Sequence, residues 1–267
     1  MSKIKKKHVL IMGAGSSLRI YKEEIRRFIE KNNPVIFGCN YTSHIIIPDY
    51  LFWGDSLVSD AQNLNFKKSI NEKSIVVLAA DSKRKQKQLE QMERQYLTYQ
   101  RVKRNWELHS DKLNSEEFKR CQVFYKDGII YGCFRYVGLC AIFWAYIQGG
   151  SKISIVGMDG YTFYSEELLK QKKASQHCIG KGYTDLHAYI RCRKNDWDVY
   201  KTLRLLYKYT KKTWGFGFEI ITPTIYEEFY NPNILKIKKD CNFQKWKEPT
   251  EEEYKKLYLV NCRIKDK

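Results

Sequence analysis

Residues 8–25, HVLIMGAGSSLRIYKEEI, read as a strand, a glycine turn and a helix. This unit limits the fold more than any other stretch. Val9, Leu10, Ile11 and Met12 form an unbroken apolar run, the pattern of a strand buried on both faces. Such a strand belongs inside a sheet covered by helices on both sides. Gly13 and Gly15 permit close approaches that a side chain forbids. Ser16 or Ser17 can cap the helix that follows, whose first amides carry partial positive charge. Two readings of the turn stay open: a cradle for a nucleotide phosphate, or a tight connection with nothing bound. Leu18 stands where the dinucleotide fingerprint has its third glycine, and no lysine follows in the manner of a P-loop.

Strand and helix signals then alternate. LRIYKEEIRRFIEKN is amphipathic, PVIFGCN is a second strand, IIIPDYLFWGDS supplies a third and KSIVVLAAD a fourth. That alternation predicts an α/β fold, a mostly parallel sheet with helices on both faces. Its strand ends carry Gly, Asn, Asp and Ser, which suits a site outside the carboxyl edge of the sheet. Residues 82–122 are polar and charged and read as a helical insertion or lid. YGCFRYVGLCAIFWAYIQGG is a very apolar helix opened by Gly132, SKISIVGMDGYTFY a central strand, 195–213 an amphipathic helix and FEIITPTIYEEF a last strand. We expect one domain over 1–235 and a basic, aromatic tail over 236–267.

The chain has 48 Lys and Arg against 30 Asp and Glu, a net charge of +18. That excess implies a polyanionic neighbour: nucleic acid, an anionic membrane surface or phosphorylated substrates. Hydrophobic residues make up 43% of the chain, enough for a packed core, so whole-chain disorder is excluded. No stretch approaches the length of a membrane span and no secretory apolar region is present, so a cytoplasmic location, with peripheral membrane attachment as an option, is expected. The eight cysteines form no C-x-x-C pair and read as reduced, buried thiols. A zinc site from Cys178, Cys192 and a histidine is the weaker reading.

Several residues carry candidate chemistry. Asp49 and Asp55 flank the third strand and could bind Mg²⁺ near a phosphate loop, or act as turn and cap residues. Asp159 is either a ligand contact or an acceptor for loop amides. His177 and His187 lie either side of Asp185, as an acid/base group or as surface histidines. Tyr161 and Tyr164 are site phenols or packing aromatics. The tail suits an anionic membrane surface or single-stranded nucleic acid, or is a solvated helix.

The islands VLIMGAGSSL, VIFGCN, FWGDSL, the apolar helix after IIYGC, ISIVGMDGY and HCIGKGYTDLHA, in that order, resemble the bacterial sialyltransferases of glycosyltransferase family 42. They are also similar to the related Rossmann-like domain of the motility-accessory-factor and 6-hydroxymethylpterin pyrophosphokinase type. The resemblance implies a Rossmann-like fold, a cytidine-nucleotide sugar donor, a surface glycan or lipopolysaccharide acceptor, and no metal or other cofactor. It places Gly13, Gly15 and Ser17, with Ala14 and Ser16 in the same loop, against the donor nucleotide. Asn40 would contact the donor, and Tyr161 and Tyr164 its phosphate. Asp55, Gly132 and Asp159 complete the candidate nucleotide contacts. Ala14 and Gly54 replace family asparagines, and Lys181, here an anion-binding cation, replaces the general-base histidine. His177 or His187 would then take the acceptor proton. A transferase with a different donor and an inactive relative stay open. The alternatives are a Mg²⁺-dependent pyrophosphokinase built on Asp49 and Asp55, and a non-enzymatic binder of nucleic acid or membrane.

Overall fold

The computed structural model describes residues 7–55, 60–102, 124–131, 136–162, 178 and 186–237. Its strands are β1 (His8–Met12), β2 (Val35–Cys39), β3 (Tyr50–Phe52), β4 (Ile75–Ala79), β5 (Tyr96–Val102), β6 (Phe124–Lys126), β7 (Ile129–Tyr131), β8 (Lys152–Val156) and β9 (Glu219–Ile220). They form one sheet in the order β6-β7-β5-β4-β3-β2-β1-β8-β9. Every pairing is parallel except β6 with β7. The helices are α1 (Ser17–Ile20), α2 (Lys22–Asn32), α3 (Asp60–Ser69), α4 (Lys83–Gln91), α5 (Val137–Ile147) and α6 (Leu186–Trp214). This is the α/β, Rossmann-like architecture that the alternating pattern predicts.

The apolar run of β1 explains its central place. Val9 and Ile11 pack on one face of the sheet with Phe37, Phe52, Val77 and α5. Leu10 and Met12 pack on the other with Leu18, Ile25 and Phe28 of α1 and α2. Because successive side chains alternate faces, a strand sandwiched by helices needs apolar residues at both parities. Farther along, Leu51, Trp53, Val76 and Leu78 pack with Phe66 of α3 and Leu89 of α4. In α5, Leu139 to Tyr146 are all buried, since the helix lies between the sheet and α6.

Two local expectations change. The amphipathic segment after the glycine turn is two helices, broken at Tyr21. The stretch 82–122 is not uniformly helical: α4 is followed by β5, which pairs parallel to β4 from Val76↔Tyr96 to Ala79↔Tyr99. Gln100 and Arg101 obscured a strand whose Tyr99 is buried. Beyond it, β6 and β7 form a hairpin turning at Asp127 (φ 51°) and Gly128 (φ 80°), the left-handed pair that an Asp-Gly turn supplies. No helix of the described residues is long and apolar enough to cross a membrane.

Candidate functional site

From β1 the sheet grows outward through β2, β3, β4, β5 and β7, and the chain then returns to lay β8 on the other side of β1. The strand order therefore reverses between β1 and β8, and the carboxyl edge at such a reversal is the place where these sheets open a crevice. A cleft of about 360 Å³ lies there. Gly13, Ala14, Gly15, Asn40, Asp55, Asp159 and Tyr161, all expected in the site, line it together. So do Cys39, Gly54, Tyr136, Val137, Met158, Asn195 and Tyr226, which the sequence reading did not select.

The glycine turn is pinned to the loop after β8. Gly13 N–H donates to Val156 O at 2.7 Å and Gly15 N–H to Gly157 O at 2.8 Å. A Cβ on Gly13 would stand 2.4 Å from Gly157 O, so glycine is required here by the meeting of two backbones. Ser16 and Ser17 do not open on the cleft as anion donors. Both are buried, and they hold Asp159: Ser17 N–H donates to its carboxylate at 2.7 Å, Ser17 Oγ to the other oxygen, and Ser16 Oγ at 3.3 Å. The anion expected at the start of α1 is thus supplied by the protein itself. Burial pushes the Asp159 carboxyl up to about 6, and the serine hydrogen bonds hold it from rising further.

On the far wall, Asn40 sits at φ 53° just beyond β2. Its carboxamide accepts from Gly54 N–H at 2.8 Å and donates to Asp55 at 3.0 Å, joining the ends of β2 and β3. Asp55 also accepts from the Tyr41 phenol, which burial and that carboxylate push up to about 12. Lys85, buried at the start of α4, donates to Gly54 O at 3.2 Å beneath this wall.

Asp49 and Asp55 do not share a site. They stand at opposite ends of β3, and the Asp49 carboxylate accepts from Ile36 N–H at 2.7 Å at the amino edge of the sheet. No group of three or more His, Cys, Asp or Glu among the described residues could hold a metal ion. Cys39, Cys140 and Cys178 are buried free thiols, and burial raises the Cys39 and Cys140 thiols.

Tyr161 lines the cleft on a turn that α6 holds in place. Asp196, fully buried on α6, accepts from Tyr161 N–H at 2.7 Å, Thr162 N–H at 2.8 Å, Thr162 Oγ1 at 2.6 Å and the Tyr226 phenol at 3.1 Å. Burial pushes its carboxyl up to about 6 as well, against those same hydrogen bonds. Gly132, Tyr164, His177, Lys181 and Asp185 lie outside the described residues, and His187 belongs to α6 at a position whose side chain is not described. Cys178, next in sequence to His177, donates its N–H to Ala14 O at 2.9 Å. The chain matches no known family model, and no curated protein is similar to it at a significant level.

Proposed function

We propose that the cleft holds the nucleotide of a nucleotide-sugar donor and that the protein is a glycosyltransferase, with cytidine as the expected base and a surface glycan or lipid-linked sugar as acceptor. One observation carries this reading. The glycine turn, Asn40 and Tyr161 come from distant parts of the chain and meet at one switch-point cleft. Each of the three was expected, by the resemblance, to touch the donor.

The chemistry follows from the lining. Among the described residues no Lys or Arg lines the cleft, and the Gly13 and Gly15 amides are taken by the loop after β8, so phenols and the Asn195 carboxamide are the neutral donors its side chains bring to a phosphate. Tyr161 as a hydrogen-bond donor to the departing phosphate stabilises charge that develops in the transition state. His177 or His187 is kept as the base for the acceptor hydroxyl, as the resemblance implies. The pyrophosphokinase reading loses its metal pair, because Asp49 is spent at the opposite edge.

Thermal-shift measurements with CMP, CTP, ATP and GTP, with and without Mg²⁺, test the proposal. Stabilisation by CMP without metal is expected, of about 2.7 kcal/mol when ligand is at 100 times Kd. Stabilisation by ATP with Mg²⁺ alone would favour phosphoryl transfer instead. No nucleotide effect, together with salt-sensitive binding to a random oligonucleotide, would favour a non-enzymatic role for the +18 charge.

A further inference from the structure

The site expected from sequence ends at Tyr161 and the loops of the sheet, yet one wall of the cleft belongs to α6. Asn195 and Val199, one turn apart, both line it. Between them in sequence Asp196 is fully buried and takes the four hydrogen bonds from Tyr161, Thr162 and Tyr226. Two of those donors are backbone amides of the turn that carries Tyr161. Gly160, which leads into that turn, has φ 89°, and a Cβ there would stand 2.3 Å from Ile225. The path of the turn is therefore set from both sides. Asn195 is half-buried, and its carboxamide makes no hydrogen bond to another described residue.

We infer that α6 is the second half of the ligand site: Asp196 is a positioning residue that aims Tyr161 into the cleft, and Asn195 is a ligand-contacting residue beside it. The inference rests on the nucleotide reading for its ligand but not for its geometry. A carboxamide offers a donor and an acceptor together, so Asn195 suits the hydroxyl or amide groups of a nucleotide sugar. It lends a bare phosphate only its N–H group. Because the two residues adjoin, whatever Asn195 binds is registered by the helix that sets Tyr161.

The experiment combines exchange and binding on the full chain. Hydrogen–deuterium exchange of the segment 157–162 is expected to quicken at least tenfold in Asp196→Asn, with β1 and α5 unchanged. Unchanged exchange there overturns the positioning role. CMP affinity is expected to fall about tenfold in Asn195→Ala, with the melting temperature of the free protein preserved. A change under twofold overturns the contact. In a double-mutant cycle, Asp196→Asn with Tyr161→Phe is expected to lose no more CMP affinity than the worse single variant, since one acts through the other. Additive losses would reduce Asp196 to a general stabiliser and overturn the inference. If the unaltered protein binds no nucleotide, the proposed function and the Asn195 contact fall together, and the exchange result still decides the role of Asp196.

Discussion

The carboxylate of Asp159 accepts the Ser17 N–H at 2.7 Å although the two residues are 142 positions apart. That bond closes the seam between β1 and β8 at its upper end, and the Ser17 hydroxyl reinforces it. Removing the hydroxyl in Ser17→Ala takes away a group that favours the ionised carboxylate. The Asp159 pKa is then expected to rise above about 6. The protein should lose about 1–3 kcal/mol of stability from the broken buried hydrogen bond. Carbon-13 titration of the aspartate carboxyls and urea denaturation measure the two effects. An Asp159 pKa at or below its starting value would refute the role assigned to the serine.

Acid should stabilise these two carboxyls rather than weaken them. Asp159 and Asp196 both titrate near 6 in the folded protein, above the ordinary aspartate value of about 3.9. Between those values the folded state binds more protons than the unfolded state. Their contribution to stability therefore falls as pH rises from about 4 to about 6, and above 6 each costs on the order of 3 kcal/mol. Denaturation series from pH 5 to 7.5 should show a shallower dependence on pH in Asp196→Asn than in the unaltered protein. Equal slopes would remove Asp196 as a source of that dependence.

Gly13→Ala should be among the most damaging single methyl additions in the chain. The new Cβ would meet a backbone carbonyl at 2.4 Å, and neither strand end can move without breaking its ladder. A loss of about 3 kcal/mol or more is expected. Gly128→Ala has open space around it and a φ of 80°, so its cost is that of the left-handed backbone alone, about 1 kcal/mol. Thermal denaturation of the pair would show a difference of well over a kilocalorie. Equal losses would mean that the two loops are not in contact.

On the proposed glycosyltransferase reading, Tyr161→Phe should lower sugar transfer about a hundredfold while leaving the free protein's melting temperature within a degree or two. The turn is held by its amide and by Asp196, not by the phenol alone. Steady-state kinetics with the donor identified by the nucleotide screen provides the measurement. Unaltered turnover would exclude the phenol from the chemistry.

Much of the sheet was legible because its central strands are apolar at both parities. Val9 to Met12, Ile75 to Ala79 and Ile153 to Val156 all announce burial on two faces. The cleft was partly legible because Gly13, Asn40, Asp55, Asp159 and Tyr161 stand just after such runs. β5 was hidden because strong apolar character is not needed toward the end of a sheet, and Gln100 and Arg101 masked its alternation. The Asp127-Gly128 hairpin carried a readable signal that the flanking polar sequence obscured. Ser17 was legible as a cap of its own helix, whereas its actual partner comes from across the sheet. Asp196 and Asn195 gave no sign, because a polar residue on an amphipathic helix reads as solvated until tertiary contacts are known. Asp196 meets Tyr161 only across 35 positions of chain.

The seating of β8 against β1 also bears on how the protein is made. A nascent chain can pair β1 with β2 early, but the opposite margin of β1 waits for Lys152 to Val156. At about 5–20 residues per second that interval lasts about 7–30 seconds, with an unpaired strand margin flanked by greasy side chains. Chains cut short before β8 should therefore clump or recruit holding chaperones. The last parallel neighbour to arrive on β1 makes the crevice and retires its stickiest border in one step.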